Sequence, residues 1–450
     1  MTNFHLTSLG CPKNLVDSQR LGAELERLGL VAAASPGRAR VVIVNTCGFI
    51  REACEESLET ILALARFKGK GGLLVVAGCL SGRYGATLEH ELPEVDLFFG
   101  PLTSTVAVRR AAAEIAAATG LPGGAACAEA LPFSLTPPQR AYVKIAEGCS
   151  NRCTYCTIPS IRGRRRSRPP QDILDEVAAL AQRGVREVTL VAQDTSAYGA
   201  DLRPRTTLAG LLELLGAQAA GPDWVRLLYL HPARVDTRLI EAMSAGGRIL
   251  PYFDLPVQHA SRQVLGAMGR GYDAARLLRL IEKIRQRCPE AALRTSLMVG
   301  FPGEGEREFG ELLSFVRQAA FDHLGCFVFS PEEGTPAATL RPRVSRKVAE
   351  RRKAEVMALQ AEISRSRNEA LVGRVLPVLV EEARQGSFVG RAARHAPEID
   401  GQVLGQGRVS AGQIVAVRVT AASDYDLVGR LVARRHGVRA ARAGAAPLKP

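Results

Sequence analysis

Hydrophobic positions in the first hundred residues follow two rhythms. Strand-like runs, FHLTSLG from Phe4, VVIVN from Val41 and LLVVAG from Leu73, alternate with stretches of helical periodicity, Leu15 to Leu28 and Glu52 to Ala65. Such alternation predicts a parallel sheet with helices crossing over it. The pattern dissolves between Thr119 and Pro138, where LPGGAA and LTPPQ carry Gly and Pro without a period, so a linker is expected over 121–138. A second series starts at Ala141: AYVKIA, EVTLVAQ, WVRLLYL, YFDLPV, LRTSLMVG and HLGCFVFS, most separated by helical patterns. Six such units predict a partial (βα)6 barrel. A helical segment from Val344 to Leu371 leads into VLPVLVE, IDGQVL and QIVAVRVT, short runs between Gly and Asp turns that predict a small all-β barrel. The expected architecture is α/β, with a parallel-sheet domain over 1–120, a barrel domain over 139–370, a β-barrel over 371–437 and a frayed tail over 438–450.

Composition narrows the class. The chain of 450 residues is 46% hydrophobic and 23% charged, ordinary for a folded globular protein. No apolar run is long enough to span a bilayer, and MTNFHLTSLGCPKN lacks the basic and apolar regions of a secretory signal, so no membrane role and a cytoplasmic location are expected. From Arg341 to the end there are 21 Lys and Arg against 10 Asp and Glu, a net +11 of the total +14. That surplus fits a polyanionic partner, ribosomal RNA or an acidic protein, with Arg351, Arg352, Lys353, Arg391, Arg394, Arg434 and Arg435 as contact candidates. A solubilising surface is the plainer reading. Aromatic residues are only 5% of the chain, which leaves no base-stacking platform in view.

Ten cysteines in a chain expected to sit in a reducing compartment point to metal, redox or core roles instead of disulfides. Cys149, Cys153 and Cys156 form CxxxCxxC at the end of the first strand of the barrel series, a spacing that chance supplies roughly 0.005 times in such a chain. No fourth Cys or His lies at finger-like spacing, which argues against structural zinc. Three thiolates on a 4Fe-4S cluster leave one iron open to a ligand. Cys11, Cys47 and Cys79 each lie just beyond the carboxyl end of a predicted parallel strand, the edge where open α/β sheets build their sites. Singly each reads as a buried core cysteine. Together they predict a second three-thiolate site, and Cys54, Cys127, Cys288 and Cys326 are left as packing residues.

With those residues in place the chain resembles the radical S-adenosylmethionine enzymes, for which CxxxCxxC is the hallmark, and within them the methylthiotransferases with a C-terminal TRAM domain. SLGCPKNLVDSQ, AYVKIAEGCSNRCTYC, VAQDTSAYG, LPVQHAS, SPEEGTPA, APEIDG and DYDLVG are similar to the RimO type, and CPKN separates it from the tRNA adenosine type. Gly305 and Gln19 depart from the common pattern. The resemblance implies two 4Fe-4S clusters, on Cys149, Cys153 and Cys156 and on Cys11, Cys47 and Cys79. It also implies two S-adenosylmethionine molecules, an electron donor, and methylthiolation of the β-carbon of an aspartate in small-subunit ribosomal protein twelve, free or within the subunit. Gly300 and Gly303 of GFPGE, with Gln193, are the expected cofactor contacts, and Asp194 shares that strand end. His231 and His259 are read as packing or hydrogen-bonding residues. The run Arg162, Arg164, Arg165, Arg166 and Arg168 reads as a solvated basic loop, with an anion clamp as the alternative. Two other functions compete: methylthiolation of a tRNA adenosine, and an iron-sulfur RNA-binding or ribosome-assembly factor without turnover.

Overall fold

The first hundred residues of the computed structural model build a five-stranded parallel sheet: β1 (Asn3–Ser8), β2 (Val31–Ala32), β3 (Val41–Thr46), β4 (Leu73–Gly78) and β5 (Leu97–Phe99). Residues 2–120 and 133–432 are described. The sheet order is β2-β1-β3-β4-β5, with α1 (Pro12–Arg27), α2 (Arg51–Ala65), α3 (Cys79–Glu91) and α4 (Thr105–Ala118) as crossovers. Alternation in β3 explains the sandwich. Val41 and Ile43 pack with Leu21 and Leu25 of α1 and Ile115 of α4, while Val42 and Val44 pack with Ile61 of α2 and Leu80 of α3. A strand buried on both faces must be apolar throughout, as VVIV is. Helix α1 begins three residues before the periodicity predicts, because the Cys11 carbonyl accepts from the Asn14 and Leu15 amides and Pro12 supplies a preset first turn.

The predicted six-strand series is present as β6 (Arg140–Lys144), β9 (Glu187–Val191), β10 (Trp224–Leu227), β11 (Tyr252–Asp254), β12 (Ala292–Val299) and β13 (His323–Val328). Two short strands, β7 (Ala146–Glu147) and β8 (Arg166–Ser167), pair antiparallel across the cysteine loop, which also holds α5 (Ile158–Arg162). The barrel strands form two parallel triplets, β10-β9-β6 and β11-β12-β13, which meet where the Leu230 amide donates to the Asp254 carbonyl at 2.9 Å. Helices α6 (Pro170–Gln182), α7 (Leu208–Ala217), α8 (Thr237–Ser244), α9 (Arg262–Ala267), α10 (Ala274–Arg287) and α11 (Glu306–Ala319) lie between the strands. Their inner residues, such as Val177, Leu211, Ile240, Ile281 and Leu312, share one core with the strands.

At the amino ends of the strands the barrel is filled by a fully buried pair, Arg226 and Glu187, joined at 2.7 Å, with the guanidinium 4.6 Å over the Tyr252 ring. The carboxyl ends are left for the site. Helix α12 (Arg346–Glu369) follows, and Gln360 and Ser364 bind the carbonyls of Phe321 and Asp322.

The chain divides into two compact units, Met1–Ser364 and Arg365–Pro450. In the second, β14 (Val375–Arg384), β15 (Ser387–Ala392), β16 (Val403–Gln406), β17 (Ile414–Ala422) and β18 (Leu427–Leu431) close a barrel in the order β14-β15-β16-β18-β17. Val378, Phe388, Val403, Val417 and Leu427 fill it. The small all-β barrel is as expected, with β15 and β18 added to the three predicted runs. Two of the basic contact candidates fall out. Arg391 is 2% exposed and bound to Glu381, and Arg352 is 3% exposed between Glu304 and Glu306. Arg374, Arg384, Arg408, Arg418 and Arg430 are exposed instead, with Arg418 and Arg430 cross-strand neighbours. Arg434, Arg435, Cys127, most of the predicted linker and the 438–450 tail lie outside the described residues.

Candidate functional site

The register of the N-terminal sheet brings its three cysteines to one edge. Ser8 is level with Asn45 and Thr46 with Gly78, so Cys47 and Cys79 leave adjacent strands side by side, about 4.8 Å apart in the backbone. Cys11 follows two residues further round. Gly10, at φ +85°, lies so near Cys47 that a Cβ there would fall 2.8 Å from the Cys47 Cβ and 3.0 Å from its sulfur. Gly48 is equally close to the backbone joining Cys79 and Leu80. Asn14 fixes the edge: its amide nitrogen donates to the carbonyls of Leu9 and Thr46, at 2.8 and 3.1 Å, and its main-chain carbonyl accepts from Asn45.

The second trio occupies the loop after β7. Cys149 is buried and Cys153 and Cys156 are half-buried, and the Cys149 amide donates to the Gly163 carbonyl at 3.0 Å. Under the loop, Tyr155 meets Phe301 edge-on beside Val264, Met268 and Ala337, and Arg270 binds the Tyr155 hydroxyl at 2.8 Å. Asp194 anchors the loop from the end of β9. Its carboxylate accepts from Asn151, between the first two cysteines, and from Arg234, at 2.8 and 2.6 Å.

Between the trios lies a buried network of side chains that links α1 to the barrel. Arg162, at the end of α5, donates to Asp17, Glu147 and Asn14, each at 3.0 Å, and its Nε–H points at the Cys79 sulfur at 3.3 Å. Lys144 pairs with Asp17 and with Glu147, the latter at 2.6 Å. Arg162 is therefore no solvated residue, a correction to the basic-run reading. It is 3% exposed, whereas Arg164 and Arg166 of the same run are exposed. Only tertiary placement distinguishes them, and the signal that could have found Arg162 is its position in α5 beside apolar Ile161. Asp17, Lys144 and Glu147 were not singled out from sequence either.

The electrostatics favour thiolate at Cys11. Burial opposes its ionisation, but the Lys13 and Arg162 cations outweigh that and hold its pKa below the usual value. Burial pushes Cys47 and Cys156 up to about 12 and raises Cys79 and Cys149, the Cys79 rise being opposed by Arg162. Soft thiols relieved of protons on ligation, with N–H donors at Cys79 and Cys149, suit an iron-sulfur group. Among the described residues no three Cys, His, Asp or Glu side chains gather tightly enough to grip a single ion. Thiolates around a four-iron cube stand farther apart than ligands around one ion. The described cysteines are all free of disulfides.

The other expected contacts have local roles. Gln193 donates to Glu147 at 3.1 Å and its side-chain carbonyl is buried without a partner. Gly300, at φ +76°, is where α12 comes closest: a Cβ would sit 2.5 Å from the Ala349 Cβ. Gly303, at φ +85°, turns the chain, and Glu304 accepts from the Gly300 amide at 2.8 Å. His231 accepts from the Ala233 amide, and fully buried His259 accepts from the Ser261 amide and faces Glu304. Gln19 binds Ser134 and Thr136, and the Gly305 amide donates to Glu308. Cys288 and Cys326 are in the barrel core, and Cys54 packs on the N-terminal sheet. Two features had no sequence signal: Tyr229 and Gln258, beyond the carboxyl ends of β10 and β11, hold φ of 65° and 69°.

Residues 143–316 match the Radical SAM superfamily, 3–100 the Uncharacterized protein family UPF0004 and 372–432 the TRAM domain. The chain is 47% identical, over 94% of its length and 99% of the relative's, to the ribosomal protein uS12 methylthiotransferase RimO of Desulfosudis oleivorans. It is 43% identical, over 96% and 98%, to that of Syntrophus aciditrophicus, and 45% identical, over 95% of each, to that of Heliobacterium modesticaldum. Among solved structures, the radical S-adenosylmethionine methyltransferase TsrM of Kitasatospora setae superposes with a TM-score of 0.54 at 15% identity, over 86% of this chain and 79% of the other, a likeness of fold. No described helix is long and apolar enough to cross a membrane.

Proposed function

Since the chain belongs to the RimO family of radical S-adenosylmethionine methylthiotransferases, we propose that it methylthiolates the β-carbon of an aspartate in ribosomal protein uS12. The observation that carries the reading is the pair of cysteine trios joined by one buried network, with Arg162 bonded to Cys79 and to the Glu147 that precedes Cys149 by two residues. In this reading Cys149, Cys153 and Cys156 hold one 4Fe-4S cluster and Cys11, Cys47 and Cys79 the other. When bound, they supply an electron for cleaving S-adenosylmethionine and a site for the sulfur that is transferred. The protein's own share is placement. Asp194 fixes the barrel loop through Asn151, Asn14 and Gly10 draw the sheet edge together, and Arg162 with Lys144 neutralises Asp17 and Glu147 by direct ion pairs.

Residues 1–120, 139–370 and 371–437 are taken as the three working domains. Gln193, with a spare buried carbonyl, is retained as a cofactor contact; Gly300 and Gly303 serve by shaping the turn after β12. The exposed Arg374, Arg418 and Arg430 of the C-terminal barrel are the residues for ribosomal RNA contact, and an external electron donor completes the reaction. The test is mass spectrometry of uS12 and of bulk tRNA after anaerobic incubation of the reconstituted protein with reductant, sulfide and S-adenosylmethionine. A methylthio increment on one aspartate of uS12, lost in Cys149→Ala and in Cys11→Ala, is expected. An increment confined to tRNA adenosine would overturn the substrate, and no product from intact clusters would overturn the enzymatic reading.

A further inference from the structure

The two cysteine trios are tied together a second time, by the segment SPEEGTPA, Ser330 to Ala337, that follows β13. Glu332 in this segment is 5% exposed. One of its carboxylate oxygens accepts from the Arg51 amide at 2.9 Å and from the Ser330 hydroxyl at 2.5 Å, and the other pairs with Arg83 at 2.7 Å. Arg51 opens α2 just after Cys47, and the residue before it, Ile50, has no side-chain acceptor to offer, so Glu332 caps the helix from 281 residues away. Arg83 belongs to α3, which begins at Cys79, and it also donates to the carbonyl of Gly48, the neighbour of Cys47, at 3.1 Å. At the other end of the segment the Ala337 amide donates to the Thr154 carbonyl at 2.9 Å, between Cys153 and Cys156, and Ala337 packs with Tyr155 and Phe301. Between these ends the chain is a closed turn. The Thr335 hydroxyl and amide both donate to the Glu332 carbonyl, at 2.6 and 3.2 Å, and Gly334 holds φ +77°. Beside it the hydroxyl of Thr157, which follows Cys156, donates to the Phe49 carbonyl at 3.3 Å.

A buried carboxylate and guanidinium gain little stability over apolar side chains, because desolvation offsets most of their attraction, and the best-attested use of such a pair is to fix a register. Here the register is that of one cysteine site against the other. The Arg162 network joins α1 and the Cys79 sulfur to the barrel at one place, and a single junction leaves a hinge. The Glu332 turn joins α2 and α3 to the barrel at another place and removes it. We infer that Glu332, with Arg83, is a positioning residue for the reaction, and that the 330–337 turn is a strut setting the separation of the Cys149, Cys153 and Cys156 site from the Cys11, Cys47 and Cys79 site. The inference rests on the function proposed above. In that reaction the β-carbon loses its hydrogen to 5'-deoxyadenosine at the first site and gains its bond to sulfur from the second. The separation therefore decides whether each 5'-deoxyadenosine released is matched by a methylthio group delivered.

The experiment compares wild type with Glu332→Ala, Glu332→Gln, Arg83→Ala and Ile115→Val, the last a loss of packing in the core of the N-terminal sheet, away from the strut. All are reconstituted anaerobically and matched for iron and sulfide. EPR of the reduced proteins reads the magnetic interaction between the two clusters, by comparison with cysteine-to-alanine variants that hold one alone. Product analysis reads the 5'-deoxyadenosine released per aspartate of uS12 modified. Glu332→Ala and Arg83→Ala are expected to weaken the interaction and to raise the ratio by about tenfold or more, since an ångström of misplacement costs up to about a hundredfold. Glu332→Gln, which still offers an acceptor to the Arg51 amide, should fall between them and wild type, and Ile115→Val should match wild type in both readings. Unchanged readings in Glu332→Ala overturn the inference. A raised ratio with an unchanged interaction overturns it too, because separation is then not what Glu332 sets, and so does an Ile115→Val that shifts both readings as far. Should Glu332→Ala fail to hold its iron, Glu332→Gln and Arg83→Ala decide by the same criteria. The magnetic reading needs no uS12, so a wild type that leaves uS12 unmodified overturns the proposed function while EPR still judges the strut.

Discussion

The Nε–H of Arg162 meets the sulfur of Cys79 at 3.3 Å, across 83 residues of sequence, while the two terminal nitrogens of the same guanidinium bind Asp17, Glu147 and Asn14. One side chain from the barrel thereby reaches the thiol edge of the N-terminal sheet. Arginine suits the position because its planar fork offers five donors in fixed directions, which a lysine cannot match.

Arg162→Gln leaves Asp17 and Glu147 buried with Lys144 as their remaining cation. Breaking a buried pair in this way costs about 3–5 kcal/mol, so the midpoint of urea unfolding should fall well below wild type. Where the variant is reconstituted, the reduction potential of the Cys11, Cys47 and Cys79 group should drop, since a donor to a ligating sulfur is lost. An EPR-monitored titration in a Cys149→Ala, Cys153→Ala, Cys156→Ala background isolates that signal. An unchanged potential would deny Arg162 any influence on the group.

Iron content tests the assignment of the trios. Cys79→Ala and Cys153→Ala should each retain about half of the wild-type iron and acid-labile sulfide, and the double variant almost none. Cys54→Ala and Cys326→Ala should keep the full complement. A Cys79→Ala protein with undiminished iron would remove Cys79 from the ligand set.

Acid sensitivity is expected below neutrality from His231. Burial, reinforced by the Arg270 cation, lowers its pKa from 6.5 to about 4. The unfolded chain therefore binds a proton at a pH where the folded one does not, and stability rises with pH between those values. The contribution is complete above pH 6.5 and lost as pH falls to 4. His231→Asn should flatten the corresponding slope in denaturant midpoints measured from pH 7 to pH 4.5, and an unaltered slope would assign the sensitivity elsewhere.

Gly300→Ala should destabilise the protein by about 1–3 kcal/mol, through a Cβ forced against Ala349 and a backbone at positive φ. Gly266→Ala, in α9 with open space around it, should gain about 0.5–1 kcal/mol. Chemical denaturation of both variants checks the contrast.

The sheet edge was legible in the sequence because strand ends can be read from hydrophobic runs, and parallel register turns three such ends into neighbours. Cys47 and Cys79 needed nothing more. The network was not legible, since Asp17, Lys144 and Glu147 belong to different local patterns and meet only through packing. Arg162 shares its sequence neighbourhood with Arg164 and Arg166, and burial alone separates them. Gly300 was noticed for its backbone property, and its contact with Ala349 was not legible because α12 comes from 49 residues downstream. β15 and β18 escaped notice because SFVGRA and LVGRL interrupt their apolar alternation with glycine and arginine.

Helix α1 carries Cys11 at its cap, then, within its first two turns, Lys13 over the Tyr229 ring and Asn14 and Asp17 against Arg162. It works as an indexed rod. Inserting one residue between Asn14 and Asp17 would turn everything beyond it by about 100°, swinging Asp17 away from Arg162 while Cys11 and Lys13 stayed where they are. Length in this short stretch is consequently as much a requirement of the site as the identity of its cysteines, whereas the same insertion in the turn after α1 would leave the phase of the helix untouched.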